Sequence, residues 1–169
     1  MMVETSRKSR IAIIVMMIVS VIVVDQASKY AAIVLIASRA VEIQVTSFFS
    51  FVLSFNSGVS FGLLTDTLGN QQIVLALVLL AVTLGIAAFA FRRNSFFPPH
   101  GAALIVGGSL GNIIDRLRQG AVTDFILLHY QSWAWPVFNL ADSAIFLGCV
   151  LIIFSRSEAV KAPGSSGSA

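Results

Sequence analysis

Two aspartates stand out in an otherwise almost wholly apolar chain, Asp124 within residues 122–126 and Asp142 within residues 138–143. A carboxylate close to lipid is energetically expensive, so it usually marks chemistry or transport rather than structure. If the two carboxylates meet, they can share one proton, because two adjacent negative charges do not both ionise easily. Such a pair can activate water and hydrolyse a peptide bond, as aspartic proteases do.

The amino-acid composition indicates whether the protein that carries this pair is soluble or membrane-embedded. Of the 169 residues, 57% are hydrophobic and 11% are charged, whereas a soluble domain carries roughly 25% charged residues. A soluble domain would lack the polar residues needed to cover its surface. The sequence therefore predicts an α-helical integral membrane protein.

Four apolar stretches predict four transmembrane helices, because one span needs about 20 residues. Basic residues precede the first stretch, so a cleaved signal peptide with a cleavage site near residues 38–40 is an alternative for it. The three stretches downstream favour an uncleaved first helix in a single domain over residues 1–156. The tail, 157–169, is rich in Gly and Ser and is predicted to be flexible. The predicted spans are about 11–30, 71–91, 101–118 and 137–155.

The distribution of basic residues predicts the orientation of these spans. With four spans, both termini and the loop after the second span share one side of the membrane. By the positive-inside rule, that side is cytoplasmic. The net charge of +3 therefore reflects topology, and no nucleic-acid partner is predicted. Seven of the eleven basic residues lie on this side: Arg7, Lys8, Arg10, Arg92, Arg93, Arg156 and Lys161.

Two segments, 31–70 and 119–136, are placed on the outer, periplasmic side. Residues 41–45 alternate in polarity and 49–55 are rich in β-forming residues, which predicts a small periplasmic β-sheet between helices one and two. A turn at 56–58 follows this sheet. The second segment carries two tryptophans, typical of an interfacial aromatic belt.

Polar side chains of several predicted helices fall at the same outer depth as the two aspartates. Asn112 and Arg116 are four residues apart and share a helix face, and Asn139 and Asp142 are three apart at the start of the last helix. This common depth predicts one polar site.

Each of these residues also has a structural interpretation. Asn139 and Asp142 could cap the last helix, with Asn at the N-cap and Asp at N3. Asp25 with Lys29 could be an ordinary i,i+4 pair, and Arg116 could extend to the lipid headgroups. Capping does not exclude catalysis by the same side chain.

The Gly-x-Ser-x-Gly motif at 107–111 is the alternative catalytic signal. A serine nucleophile at Ser109 needs that motif on a strand-to-helix turn, but the motif lies within a predicted helix, away from His100 and His129. A Gly-x-x-x-Gly face for close helix packing is the better interpretation. One cysteine and two separated histidines do not predict a zinc site.

The chain resembles the lipoprotein signal peptidase (signal peptidase II) family over nearly its full length, apart from the two tails. The five matching motifs, in chain order, are Asp25-Gln26-Ala27-Ser28-Lys29, Asn56-Ser57-Gly58-Val59-Ser60-Phe61, Gly107-Gly108-Ser109-Leu110-Gly111-Asn112-Ile113-Ile114-Asp115-Arg116, Val122-Thr123-Asp124-Phe125 and Phe138-Asn139-Leu140-Ala141-Asp142-Ser143.

The resemblance implies that Asp124 and Asp142 are the catalytic pair of an intramembrane aspartic endopeptidase. The implied reaction removes the signal peptide of a prolipoprotein just before a diacylglyceryl-modified cysteine, with no metal or organic cofactor. The implied partners are such prolipoproteins and membrane lipid, at the periplasmic face of the bacterial inner membrane. The sequence leaves open which aspartate starts protonated. The residues implied to support the site or bind substrate are Asp25, Asn56, Gly108, Asn112, Arg116 and Asn139.

Two other function classes remain open at this point. A proton or ion transporter subunit would also use intramembrane carboxylates, although the acids here cluster at one membrane face instead of forming a path across. A non-catalytic membrane scaffold would use the outer sheet as a docking surface. Cleavage of a lipidated prolipoprotein peptide separates the protease from both.

Overall fold

A computed structural model of the protein describes residues 7–37, 42–58, 71–91 and 98–160. Within these ranges the chain forms four long α-helices and a four-stranded antiparallel sheet. The elements are α1 (Arg7–Ala37), β1 (Ile43–Thr46), β2 (Phe49–Asn56), α2 (Gln71–Ala90), α3 (Pro99–Gln119), β3 (Val122–Tyr130), β4 (Trp133–Ala134) and α4 (Leu140–Val160).

Helix α3 lies at the centre and packs against α1, α2 and α4. Ala102 and Ala103 on it are fully buried, whereas large apolar side chains such as Met16 on α1 and Phe146 on α4 are more than 60% exposed. Exposed apolar faces of this extent mark contact with a membrane or a partner. The fold is therefore a helical bundle with its apolar surface on the outside.

Two helical segments in the described part of the chain are long and apolar enough to cross a membrane, Ser9–Ile36 and Gln72–Ala90. The apolar part of α4, Leu140–Ser155, is shorter. The four-span count therefore stays a prediction. Helix α1 continues past Tyr30 to Ala37, and α4 continues to Val160, into the segment predicted as a flexible tail.

Small residues on α3 let its neighbours approach closely, as the Gly-x-x-x-Gly pattern predicted. A Cβ atom added at Gly107 would lie 2.8 Å from Val21 Cβ on α1, and one added at Gly108 would overlap the carbonyl oxygen of Ala141 on α4. A Cβ at Gly148 would lie 2.5 Å from the Gly101 carbonyl oxygen. Close backbone approach of this kind is how membrane helices gain packing energy.

The sheet has the order β1-β2-β3-β4 and is larger than the sequence predicted. Strands β1 and β2 lie between α1 and α2 as expected, but β3 and β4 come from the segment between α3 and α4, for which only an aromatic belt was predicted. The first four residues of β3 are all buried, so this strand lacks the alternation that reveals a half-exposed strand. The sheet packs against the end of α1, where Ala32 and Ile36 meet Phe125.

The predicted turn at the end of β2 is present. The Gly58 backbone N–H donates to Asn56 Oδ1 over 2.8 Å, and Gly58 has a φ of +73°, a conformation that favours glycine. Outside the described residues lie the possible cleavage site near 38–40, Val59 to Phe61 of the second motif, the basic pair at 92–93 and the tail from residue 161 onward.

Candidate active site

The fold brings Asp124 and Asp142 to one place through Asn139. Asp124 lies on β3, and Asp142 lies in the first turn of α4. The side-chain amide of Asn139 donates to Asp124 Oδ1 over 2.6 Å, and its backbone N–H donates to Asp142 Oδ2 over 3.2 Å. Asn139 itself is fully buried. One residue therefore contacts both carboxylates.

The same residue begins α4 in a reciprocal capping arrangement. Asn139 Oδ1 accepts the backbone N–H of Asp142 over 2.9 Å, while the Asp142 carboxylate accepts the backbone N–H of Asn139. This is the capping-box geometry, built here from Asn and Asp, and it confirms the predicted cap. The orientation of Asp142 is thereby fixed by backbone geometry.

Asp124 occupies a more enclosed position than Asp142. Its residue surface is only 2% exposed, and Asn56 Nδ2 donates to Oδ2 over 3.1 Å. Burial raises the pKa of Asp124 above the ordinary carboxyl value, and the negative charge of Asp142 raises it further. Hydrogen bonds from Asn56 and Asn139 oppose that rise in pKa without cancelling it. Asp124 therefore keeps its proton to a higher pH than an ordinary aspartate.

An open cavity of about 320 Å³ gives access to Asp124. It lies between the end of β2, from Ser54 to Gly58, and the residues Pro136 and Val137 just before α4. A short extended peptide can lie in such a space with a backbone carbonyl beside the carboxylate. The Asn56 side chain lines the same cavity, so it can contact a bound chain as well as Asp124.

A buried ion cluster joins α1 to α3. Lys29 Nζ lies 2.8 Å from Asp25 Oδ2 and 3.0 Å from Asp115 Oδ2, and it donates to Asn112 Oδ1 over 2.9 Å. Lys29 is 2% exposed and Asp25 is fully buried. An ordinary pair within one helix was one interpretation of Asp25 and Lys29 in the sequence, and the resemblance assigned Asp25 to the site but not Lys29. The i,i+4 spacing of Lys29 from Asp25 was the sequence signal that could have indicated its place in the site.

Asn112 extends this cluster to the aspartate pair, since its Nδ2 donates to Asp142 Oδ1 over 2.8 Å. Asp25 also contacts the start of α4, where its Oδ1 accepts the backbone N–H of Ala141 over 3.0 Å. Gln26 adds a further link between α1 and α3, because its amide donates to Asp115 Oδ1 over 2.9 Å. The sequence missed Gln26 too.

Arg116 is half-buried and faces the turn after β2. Its Nη1 donates to the backbone oxygen of Asn112 over 3.3 Å, and a Cβ atom at Gly58 would lie 3.3 Å from Nη2. Its charge acts on both Asp124 and Asp142. Within the described residues, its buried Nε has no hydrogen-bond partner. The side chain is therefore directed towards the site rather than away into lipid.

Gly108 contributes by allowing close approach. Its position against Ala141 and Ile145 places α3 directly against the first turns of α4, next to Asp142. Ser109 lies in the middle of α3 and not on a strand-to-helix turn. His129 instead pairs with Ser50 over 3.0 Å, and His100 contacts Met17 Sδ. The geometry gives no support to a serine nucleophile.

Comparison with known proteins gives a consistent assignment. The sequence model of the family described as signal peptidase (SPase) II matches residues 17–157. A lipoprotein signal peptidase of Pseudoalteromonas atlantica is 41% identical over 138 residues, which cover 80% of this chain and 83% of that protein. One of Burkholderia ambifaria is 41% identical over 149 residues, covering 83% and 85%.

Solved structures agree with these sequence relatives. A bacterial membrane enzyme solved by the in meso method superimposes with a TM-score of 0.73 at 25% identity, covering 94% of this chain and 96% of that one. A second structure of a bacterial membrane enzyme gives a TM-score of 0.72 at 26% identity, covering 90% and 96%. The match covers nearly the whole chain, so the sheet is part of the shared fold together with the helices.

Proposed function

The chain belongs to the signal peptidase II family, and from this premise we propose that it is an intramembrane aspartic endopeptidase. It removes the signal peptide from prolipoproteins, cutting just before the diacylglyceryl-modified cysteine. Asp124 and Asp142 are the catalytic pair. The observation that carries this proposal is the placement of both carboxylates on Asn139, beside a cavity that Asp124 lines.

The two aspartates divide the acid and base roles according to their surroundings. Asp142 is the base: its carboxylate accepts hydrogen bonds from Asn112 Nδ2 and from the Asn139 backbone N–H. Asp124 holds the shared proton, because burial and the charge of Asp142 raise its pKa. This arrangement leaves one proton on the pair, as hydrolysis requires.

Hydrolysis then proceeds in two proton-balanced steps. Asp142 removes a proton from water as the water oxygen bonds to the scissile carbonyl carbon, and Asp124 donates its proton to the developing oxyanion. When the tetrahedral intermediate collapses, the carbon–nitrogen bond breaks and Asp142 gives its new proton to the leaving amine. Asp124 regains the proton from the hydroxyl as the new carboxyl group forms. Nearby Arg116 stabilises the negative charge of this site.

Membrane placement explains why a lipidated substrate suits this site. We place the four helices across the bacterial inner membrane with both termini in the cytoplasm, and the sheet with the aspartate pair at the periplasmic face. The diacylglyceryl group keeps the modified cysteine in the outer leaflet. The scissile bond is thereby held at the depth of the polar cluster. Enzyme and substrate then meet within the membrane rather than by diffusion in solution.

The direct test is cleavage of a synthetic lipidated prolipoprotein peptide by the purified protein in a membrane mimetic. Asp124→Asn and Asp142→Asn keep size and polarity but remove the exchangeable acid, so each should lower cleavage by roughly 100-fold to 10,000-fold. Glu42→Gln is the matched control, since Glu42 is exposed next to β1. Circular dichroism and thermal unfolding should show that all three variants are folded.

Two outcomes would contradict the proposal. Equal cleavage of a peptide that lacks the diacylglyceryl group would remove the lipid from substrate recognition. Substantial turnover by either Asp→Asn variant would remove that aspartate from the mechanism. Uptake of protons or ions into vesicles without any shortened peptide would instead support the transporter class.

A further inference from the structure

Lys29 is a buried cation with three polar contacts, and none of these partners lines the cavity beside Asp124. It contacts Asp25 on its own helix and Asp115 and Asn112 on α3. An ammonium group only donates hydrogen bonds, so every atom that faces it must be an acceptor. Each partner of Lys29 must therefore turn an oxygen atom towards it, which restricts the orientation of the partner's side chain.

The first restriction applies to Asn112. Because Lys29 Nζ lies 2.9 Å from the Asn112 side chain, the amide oxygen must face Lys29 and the amide nitrogen must face Asp142. A flipped amide would place its NH₂ group against the ammonium and its oxygen against a carboxylate. Both contacts would be repulsive. Lys29 therefore ensures that Asn112 donates to Asp142.

The second restriction applies to Asn139. Its Nδ2 donates to Asn112 Oδ1 over 3.2 Å as well as to Asp124 Oδ1. Because Asn112 presents its oxygen, Asn139 presents its nitrogen there and its oxygen to the N–H of Asp142. The orientation set by Lys29 thus passes through two amides and reaches both members of the pair.

The two carboxylates bound to Lys29 also hold the backbone next to each catalytic aspartate. Asp25 Oδ1 accepts the N–H of Ala141, the residue before Asp142. Asp115 Oδ2 accepts the N–H of Thr123, the residue before Asp124, over 3.0 Å. Lys29 contacts Asp25 through the other carboxylate oxygen, Oδ2. It contacts Asp115 through Oδ2, the same oxygen that accepts the Thr123 N–H. One cation therefore bridges two backbone anchors.

We propose that Lys29 is a positioning residue for peptide-bond cleavage: it sets the amide orientation of Asn112 and Asn139, and through them the hydrogen bonds that both catalytic aspartates accept. The inference rests on the proposed function. The competing explanation is that Lys29 only neutralises Asp25 and Asp115, so that its loss lowers stability and nothing more.

Neutralising the whole cluster separates the two explanations. Lys29→Met alone leaves two buried carboxylates without a cation, so it can fail to fold for charge reasons. In the triple variant Lys29→Met/Asp25→Asn/Asp115→Asn no charge is left behind, and the Asn side-chain oxygens still accept the N–H groups of Ala141 and Thr123. Asn112, however, has lost the cation that faces its amide oxygen, and only the longer contact from Asn139 Nδ2 remains on that side.

The measurements are thermal unfolding, kcat, KM and the pH profile of cleavage of the lipidated peptide. For the triple variant we expect a thermal midpoint near that of the unchanged protein, KM within about twofold, kcat lower by roughly 10-fold to 100-fold and a displaced pH profile. Arg118→Met, which removes an exposed cation from α3, should change none of these.

A conservative variant supplies an independent arm. Lys29→Arg keeps a cation that only donates, so it should retain the pH profile of the unchanged protein even if its thermal midpoint falls. A triple variant with unchanged kcat and pH profile would overturn the proposal, as would a folded Lys29→Arg protein with a displaced profile. Absence of cleavage by the unchanged protein would instead contradict the proposed function itself.

Discussion

The first half of α3, residues 101–110, and its second half, residues 111–119, meet the same helices by different means. In the first half, Gly101 lies against Gly148 of α4 with backbones in close contact, and Ala102 and Ala103 are fully buried. In the second half, Asn112 and Asp115 reach α1 and α4 through hydrogen bonds and an ion pair. Apolar contact holds one half, and polar contact holds the other.

The difference between the two halves of α3 shows how a fold of this kind can contain buried charges. Between helices in lipid, the hydrophobic effect gives little attraction, so close packing of small residues supplies much of the stability. A buried ion cluster adds little net stability, because desolvation offsets the attraction between charges. The small-residue half therefore stabilises the bundle, and the polar half provides the site.

Replacing a glycine in the small-residue half should have the largest effect. In Gly108→Leu the new side chain would overlap the Ala141 carbonyl and approach Ile145 Cγ1 within 2.9 Å. Because the obstacle is backbone, α4 must move away, and we expect loss of cleavage together with a lower thermal midpoint. Gly85→Leu is the control, since a Cβ there meets nothing within 4 Å. A stable, active Gly108→Leu protein would show that the helices do not depend on this contact.

A change in the polar half should instead lower activity without lowering stability. Arg116→Lys keeps the charge but loses the planar fork of donors directed at the turn after β2. We expect cleavage to fall by roughly tenfold with an unchanged thermal midpoint. Arg118→Lys on the exposed side of the same helix serves as the control. Equal cleavage by Arg116→Lys and the unchanged protein would assign Arg116 to the headgroup region and remove it from the site.

The smallest effect is expected from Asn56→Ala, chiefly as a displaced pH profile of cleavage. Asn56 donates to Asp124, which favours the carboxylate, so removing this donor raises the pKa of Asp124 further. Asp124 must keep its proton for the proposed role, so cleavage falls as pH rises through that pKa. The alkaline limb of the profile should therefore move to higher pH. Ser57→Ala, in the same turn, should leave it in place, and a move of the Asn56→Ala limb to lower pH would contradict this assignment.

The sequence predicted the parts of this molecule that depend on local patterns. The capping pair Asn139 and Asp142 follows from a three-residue spacing, and the close approach of α3 follows from its glycines. The turn at Gly58 follows from the preference of glycine for positive φ. These features need only neighbouring residues to form.

Features that depend on distant partners were not predictable in the same way. Strand β3 has no alternating pattern, because its first half is buried on both faces. Lys29 has the spacing of a common surface pair, and nothing in that spacing shows that Asp115 and Asn112 complete its surroundings. The assignment of Lys29 required the position of α3 against α1.

The hydrogen bond from the Ala141 N–H to Asp25 also joins two parts of the chain that lie far apart in sequence. Asp25 and Lys29 lie one turn apart on α1, so their ion pair needs no other helix to form. Ala141 and Asp142 belong to α4, which follows α1, α2 and α3 in the chain. Both aspartates can therefore come together around Asn139 only once α4 has packed against α1 and α3.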